Sequence, residues 1–141
     1  MLVWENPLAI GTWVGEHGGG KYPPGSYSAI GYVENGELIG GFVFYNANSV
    51  NCFISLALSK GRMPRALLKA ALYYAFKQLT LRRLTCTISS ANIASQDLVT
   101  RLGAKREATL RDADPDGDLL VYALFPSECP LWSRFEHGKI R

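Results

Sequence analysis

The chain has 141 residues, of which 48% are hydrophobic and 19% are charged, and its formal net charge is +3. This composition excludes wholesale disorder, and the length predicts one domain over residues 1–141 with a single core. The small positive charge lacks the clustering typical of nucleic-acid-binding proteins, so nucleic acid is not an expected partner.

The cysteines are three in number and widely spaced, and no two of them form a CxxC pair. Cys52, Cys86 and Cys129 therefore predict neither a disulfide framework nor a zinc site, and they suit a reducing cytoplasm. No stretch reaches the roughly 18 apolar residues of a membrane span, and the first ten residues do not resemble a signal peptide. We expect a soluble, unprocessed cytoplasmic protein that does not bind a membrane.

The first predicted element is a short amphipathic helix that is capped by Asn6, opened by Pro7 and ended by Gly15. Residues 16–25, EHGGGKYPPG, combine three consecutive glycines with two prolines and predict a loop. Two interpretations of this loop stay open, a mobile lip over a binding site or a plain connection.

Two-residue alternation and β-rich composition then predict three sequential antiparallel strands. The Asn35-Gly36 dipeptide between the first two is a strong hairpin signal. Gly40 and Gly41 inside the second strand indicate a bulge or a close backbone approach. The strands cover residues 26–34, 37–46 and 50–58.

The organising unit of the chain is residues 50–79, where an apolar strand, a short basic turn and a helix opened by proline follow one another. The start of a helix presents unpaired backbone N–H groups and the positive end of the helix dipole. Lys60, Arg62 and Arg65 add side-chain charge, so the turn predicts a site for phosphate or pyrophosphate. An ordinary strand-to-helix connection with solvated charges is the alternative.

Downstream, residues 83–89 predict a short buried strand, which runs parallel to the strand ending at Leu58 because a helix intervenes. Asn92 predicts the cap of a second helix, and Gly103 its end. The C-terminal segment from Glu128 is expected to be irregular. The last two strands cover residues 105–111 and 119–125.

Other chemistry has little support in the sequence. Residues 112–118 resemble the start of a calcium loop, but Pro115 and Ala123 do not fit that loop, so a hairpin turn is predicted. His17 and His137 lack partners at metal-ligand or triad spacing and are expected at the surface. We expect no bound metal and no nucleophilic cysteine or serine.

A family resemblance comes from ANIASQDLVTRLGAKREATLR, residues 91–111. This segment has an asparagine, a small residue three positions later, an aliphatic helix, Leu-Gly, and a strand entering with Arg-Glu. Together with the preceding hairpin, strand, basic turn and R-A-L-L helix, it resembles the GCN5-related N-acetyltransferase (GNAT) superfamily over residues 26–125. Residues 117–132, GDLLVYALFPSECPLW, resemble small members found in tailed phages and prophages.

The resemblance implies an α/β (α+β) fold with a mixed, twisted sheet, helices on both faces and a splayed parallel strand pair. Acetyl-CoA would lie in the split, with its pantetheine arm between the strands and its pyrophosphate on residues 59–65. The backbone N–H of Leu56 would stabilise the tetrahedral oxyanion, and Ser55 and Asn92 are the other implied catalytic residues. The implied cofactor-binding residues are Leu56, Ala57, Leu58, Lys60, Arg62, Met63, Pro64, Arg65, Ala66, Asn92 and Ser95.

Three positions depart from the family pattern. Ser59, Arg62 and Pro64 stand where the pyrophosphate turn usually has Gln or Arg, Gly, and Gly or Ala. Val99 stands where many members have the tyrosine that protonates the leaving thiolate. The strand over residues 50–58 has no carboxylate to act as general base. Its nearest polar substitutes are Ser55, Asn51 and Tyr45.

The function that we predict is transfer of acetyl from acetyl-CoA to a primary amine by direct attack, with proximity supplying most of the acceleration. The acceptor is a small molecule or a protein, and the loop over residues 16–25 and the region around Trp132 are expected to form its walls. The alternative is a non-catalytic binding module or a virion-associated structural protein. The expected partners also include a second copy of the chain, in a homodimer, or virion proteins. The expected location is the host cytoplasm or the virion.

Overall fold

The computed structural model of the chain describes residues 1–18, 20–59 and 61–136. The strands within these ranges are β1 (Leu2–Val3), β2 (Tyr27–Glu34), β3 (Glu37–Tyr45), β4 (Asn51–Leu58), β5 (Arg83–Ser89), β6 (Lys105–Asp114) and β7 (Gly117–Leu124). The α-helices are α1 (Pro7–Gly18), α2 (Arg65–Tyr73), α3 (Ile93–Leu102) and α4 (Pro130–Glu136). A π turn at Tyr74–Gln78 extends α2, and a 3₁₀ turn at Pro126–Glu128 precedes α4.

The strands form one sheet in the order β1-β2-β3-β4-β5-β7-β6. Strands β4 and β5 are parallel, and the other neighbouring pairs within the described ranges are antiparallel. Residues of α2, α3 and α4 pack in a large cluster against one face, whereas Ile10 and Val14 of α1 pack in a smaller cluster against the other. The predicted α+β fold, with a mixed sheet and helices on both faces, is confirmed.

Helix α1 begins as predicted, because the Asn6 side-chain oxygen accepts a hydrogen bond of 3.1 Å from the Ala9 N–H. It ends three residues later than predicted, at Gly18 rather than Gly15. The reason is tertiary packing, which outweighs the low helix propensity of glycine. A Cβ at Gly15 would collide with the Gly20 carbonyl oxygen, so glycine lets the following loop fold back onto the helix.

The hairpin between β2 and β3 has Asn35 and Gly36 at φ values of 53° and 78°. Two successive left-handed residues are what a type I′ turn requires, so the hairpin prediction is confirmed. The glycines of β3 mark close approach on both faces. A Cβ at Gly41 would lie 2.9 Å from Val14 of α1, and one at Gly40 would lie 3.1 Å from Leu67 of α2.

Helix α2 starts at Arg65, and Pro64 is its N-cap residue rather than its first helical residue. The Pro64 carbonyl oxygen accepts from the N–H groups of Leu67 and Leu68 at 3.0 and 3.1 Å. The predicted apolar face is confirmed, since Leu67 is fully buried together with Ala71, Leu72 and Ala75.

Two predictions about the C-terminal half are wrong in detail. The segment expected to be irregular contains α4, because Leu131 and Trp132 bury apolar surface against the core and proline is tolerated at a first helical position. Strands β6 and β7 reach Asp114 and Gly117, so the acidic hairpin turn is shorter than residues 112–118. None of the helices in the described ranges combines the length and apolarity that crossing a membrane requires.

Candidate active site

The parallel strands β4 and β5 pair over only part of their length. Their register runs from Asn51 opposite Arg83 to Ile54 opposite Cys86, whereas the strands continue to Leu58 and Ser89. Beyond Ile54, residues 55–58 stay paired with β3 and residues 87–89 stay paired with β7. The sheet therefore opens between β4 and β5 at the carboxyl ends of both strands.

The hydrogen-bond alternation of β4 shows which backbone groups face this split. The Ser59 N–H donates to the Ile39 carbonyl oxygen on β3 at 2.9 Å. In an antiparallel pair every second residue bonds to the same neighbour, so Ala57 and Ser55 also bond to β3. The N–H and C=O groups of Leu56 and Leu58 point the other way, into the split, where β5 no longer pairs with them.

The turn between β4 and α2 is positively charged and exposed. Arg62 and Arg65 are exposed, and Gly61 supplies the left-handed backbone of the turn with a φ of 71°. The N-cap of α2 makes no side-chain hydrogen bond, which leaves the N–H groups of Arg65 and Ala66 directed out of the helix start. Lys60 lies outside the described residues, and the Met63 side chain is buried in the core, so only its backbone could contact a ligand.

The start of α3 lies at the same edge of the sheet, because it follows the carboxyl end of β5. Asn92 is its N-cap, and the Asn92 side-chain oxygen accepts from the Ser95 N–H at 3.1 Å. The Gln96 side chain donates to the carbonyl oxygens of Ser89 and Ser90, both at 3.1 Å. These bonds fix the end of β5 beside the split, and the predicted cap is confirmed.

Comparison with family models and with curated proteins found no match. Among solved structures, the chain is similar to an acetyltransferase of the GNAT family from Bacillus anthracis, with 23% identity, a TM-score of 0.58, and 73% of this chain and 68% of that chain covered. It is also similar to the spermidine/spermine N-acetyltransferase SpeG from Vibrio cholerae, solved with manganese ions. That match has 13% identity and a TM-score of 0.71, and it covers 99% of this chain and 96% of SpeG.

A third match is RimJ from Mycobacterium smegmatis in complex with CoA-disulfide, at 20% identity and a TM-score of 0.60. It covers 82% of this chain but 61% of RimJ, and another match, to a protein described as a probable acetyltransferase, covers 62% of that protein. The strand order and the splayed pair of β4 and β5 agree with these structural matches. The chain has the GNAT fold.

Val99, the position where the resemblance implies a tyrosine in many members, is 2% exposed and lies in the large core cluster. Its aliphatic side chain has no proton that it can donate, and it is buried in the core. No proton donor for the split is therefore available at this position.

The polar residues that could substitute for a general base lie at different places. Asn51 is at the closed end of β4, where its side-chain oxygen accepts from the Thr85 hydroxyl at 2.7 Å. It is therefore remote from the split. Ser55 is the first residue past the last β4–β5 pair. Because side chains alternate along a strand and Ala57 packs with α1, Ser55 faces the α1 side of the sheet.

Sequence reasoning missed an aromatic cluster around the loop after α1. Tyr22, in this loop, is half-buried, and burial raises the pKa of its hydroxyl. Its ring centroid lies 5.3 Å from that of Tyr45 and 5.7 Å from that of Tyr27. The interpretation of the loop as a lip over a binding site was the available signal, but packing of Tyr22 against residues of β2 and β3 has no local sequence signature.

The cysteines are buried free thiols. Burial raises the pKa of Cys52 to about 11 and that of Cys86 to about 12. It also raises the pKa of Cys129. Near neutral pH all three stay protonated, which makes them poor nucleophiles. The described residues contain no cluster of three His, Cys, Asp or Glu side chains that could hold a metal ion.

A large apolar groove of about 740 Å³ lies apart from the split, between strands β1 and β2 and helix α2. None of its lining residues belongs to β4 or β5. Trp132, expected as a wall of an acceptor site, lines neither this groove nor the split. It is 5% exposed and packs edge-on against Phe76 at a centroid distance of 5.7 Å, within the core.

Proposed function

We propose that residues 1–141 form one acyltransferase domain, which transfers acetyl from acetyl-CoA to a primary amine by direct attack. The observation that carries this proposal is the split between β4 and β5, into which Leu56 and Leu58 direct backbone N–H and C=O groups that β5 does not pair. An amide-containing arm such as pantetheine can complete the interrupted ladder, because it offers the donors and acceptors that β5 no longer supplies.

The groups at the mouth of the split fit the charged end of the same ligand. Parallel strands bring the starts of α2 and α3 to one edge of the sheet, where helix N-termini favour anions. Arg62, Arg65 and the N–H groups of Arg65 and Ala66 would bind the pyrophosphate. Pro64 removes one donor at the N-cap, and the exposed arginines partly replace it. Asn92 and Ser95 would lie beside the thiol end.

The reaction needs few side chains. An amine held beside the thioester attacks its carbonyl carbon, and proximity can supply the larger part of the acceleration. The Leu56 N–H would stabilise the oxyanion that forms on the carbonyl oxygen. Ser55 would orient the amine or a water that receives its proton. Acetyl-CoA supplies the activated acyl group.

A second function has support from one observation. Val99 is a buried apolar residue where many members of the superfamily have an acid, which fits a domain that kept the sheet and lost catalysis. Such a domain would serve as a binding module or as a virion-associated structural protein, in keeping with the resemblance to small phage proteins. We rank the enzyme first because the split itself is intact.

Calorimetric titration with acetyl-CoA tests the proposal. We expect a dissociation constant in the micromolar range and a weakening of roughly 3- to 10-fold in Arg65→Ala and in Arg62→Ala, since exposed charges contribute modestly. Arg111→Ala is the matched control, because Arg111 is also exposed but lies on the far strand β6. If no heat of binding is detected at millimolar acetyl-CoA, the acetyltransferase function is excluded.

Thiol release from acetyl-CoA, measured with a panel of amines, separates the two functions. The panel contains spermidine and spermine, which SpeG is named for, together with tyramine and a peptide with a free α-amine. Release with any of them supports the enzyme, whereas binding without release supports the non-catalytic module. Three buried free thiols fit a reducing compartment, so we also propose a cytoplasmic location.

A further inference from the structure

The apolar groove between β1, β2 and α2 runs along an open strand edge. Its lining includes residues 27–30, which are consecutive in β2. Tyr27 and Ala29 belong to the small cluster on the α1 side of the sheet, whereas Ile30 packs against the large cluster on the α2 side. A groove that is lined from both faces of one strand reaches the edge between those faces.

This edge is open because β1 ends early. Strand β1 is two residues long and pairs with Tyr32 and Gly31 of β2, after which the chain leaves the sheet toward α1. Residues 27–30 of β2 therefore have β3 as their neighbour on one side and no described strand on the other.

The hydrogen bonds of Val33 show which β2 groups face outward. Its N–H donates to the Met1 carbonyl oxygen at 2.8 Å, and its C=O accepts from the Met1 amino group at 2.7 Å. Every second residue of a strand bonds to the same neighbour, so Gly31, Ala29 and Tyr27 direct their backbone groups the same way. The groups of Ala29 and Tyr27 lie past the end of β1, which does not pair them. Ala29 is 4% exposed, which leaves its N–H and C=O little contact with water.

The walls of the groove set the chemistry of an occupant. They are largely apolar, with Leu2 and Trp4 on one side and Ala70 and Tyr73 of α2 on the other. Trp4 and Tyr73 are 60% and 49% exposed, so apolar surface is available to a partner. Among the described residues that line the groove, Lys69 alone is charged, and no described carboxylate forms an ion pair with it.

We propose that this groove binds an extended peptide segment of a partner protein, which adds a strand to the open edge of β2. The peptide backbone would pair with the N–H and C=O groups of Ala29 and Tyr27. Apolar side chains at alternate positions would contact the groove walls, and a carboxylate on the same face of the peptide would pair with Lys69. The inference does not depend on the acetyltransferase function.

Two other occupants fit this surface less well. A second copy of the chain would present the same groove on its own β2 edge, and two concave surfaces leave a gap between them. A fatty acid would cover the apolar walls and pair with Lys69, but it has no donor for the outward C=O groups of β2. An extended peptide complements the walls, the charge and the backbone groups together.

The test uses an array of acetylated and amidated heptapeptides, in which valine, leucine or phenylalanine alternates with threonine. Each apolar position is replaced in turn by glutamate, glutamine or lysine, so that both directions of the peptide are covered. We expect the full chain to bind glutamate peptides in the micromolar range and to prefer them to lysine peptides. Fluorescence anisotropy of the labelled peptides in solution gives the affinities.

Two pairs of variants locate the bound peptide. Lys69→Glu should weaken binding of glutamate peptides by roughly 3- to 10-fold and strengthen binding of lysine peptides. Lys77→Glu makes the same charge change at an exposed position outside the groove lining, and both affinities should stay within about twofold. Tyr73→Ala should weaken every peptide by about 10-fold or more. Leu110→Ala, which removes a similarly exposed apolar side chain from β6, should not.

Amide hydrogen exchange, resolved by residue, distinguishes an added strand from a molecule that contacts only the groove walls. A saturating glutamate peptide should slow exchange at Ala29 and Tyr27. Exchange at Ser28 and Ile30, whose backbone groups bond to β3, should stay nearly unchanged.

The inference is overturned if no peptide of the array binds, if Lys69→Glu and Lys77→Glu act equally, or if bound peptide leaves exchange at Ala29 and Tyr27 unchanged. It is also overturned if decanoate, a fatty-acid probe, binds and no peptide does, or if the chain forms a dimer in which the Ala29 amide is already protected. Peptide binding with all the expected effects, by a protein that releases no thiol from acetyl-CoA, would support this inference and overturn the acetyltransferase function alone.

Discussion

Asn92 caps α3 and is also the residue that we propose to lie beside the thiol end of the ligand. Its side-chain oxygen caps α3 by accepting from the Ser95 N–H, which uses one of the two lone pairs of that oxygen. The amide nitrogen of the same side chain is the group that we expect to donate to a ligand at the split. Capping was readable in the sequence because it depends on residues three apart, whereas a ligand contact depends on what lies across the sheet.

Two substitutions separate the capping and binding roles of Asn92. Asn92→Ala should lower the free energy of unfolding by about 1 kcal/mol, and Asn92→Ser should keep it nearly unchanged, since serine also caps helices. Both variants should bind acetyl-CoA more weakly if the amide nitrogen contacts the ligand. Chemical denaturation and calorimetry check the two effects. Wild-type affinity in Asn92→Ser would show that Asn92 is a cap alone.

Strand β4 carries the candidate site through its backbone rather than through its side chains. Its apolar sequence predicted a buried strand, and its β3 pairing turns alternate amides toward the split. This arrangement would let Leu56 and Leu58, whose side chains carry no functional group, take part in catalysis through their backbone.

Amide hydrogen exchange of β4, resolved by residue, tests the direction of these groups. In the free protein, the amides of Leu56 and Leu58 should exchange faster than those of Ser55 and Ala57, which bond to β3. Acetyl-CoA should slow exchange at Leu56 and Leu58 and leave the other two nearly unchanged. Equal exchange along residues 55–58, before and after addition, would contradict the assigned alternation.

At the scale of the whole molecule, a network of polar side chains holds the closed end of the split. The Thr85 hydroxyl accepts from the Arg83 side chain at 2.9 Å and donates to Asn51 at 2.7 Å. Arg83 in turn forms an ion pair of 3.0 Å with Glu107 on β6. This network joins β4, β5 and β6 where the parallel strands are still paired.

Thr85→Val should destabilise the protein by about 1–3 kcal/mol, because it keeps the shape of the side chain but removes its hydrogen bonds to the half-buried Arg83 and Asn51 side chains. Thr85 is 3% exposed. Thr87→Val is the matched control on the same strand and face, but in the open part, and its effect should stay within about 0.5 kcal/mol. Equal effects of the two variants in thermal or chemical unfolding would contradict a role for the network.

The sequence by itself determined the local elements and their order: the Asn35-Gly36 hairpin, the caps at Asn6 and Asn92, and the parallel strand after α2. Each depends on residues a few positions apart, through turn conformation, capping or periodicity. Register and packing decided the rest, because they depend on residues distant in the chain. They extend α1 to Gly18, bury Trp132 in the core, leave Asn51 at the closed end, turn Leu56 and Leu58 into the split and pack Tyr22 against Tyr27 and Tyr45.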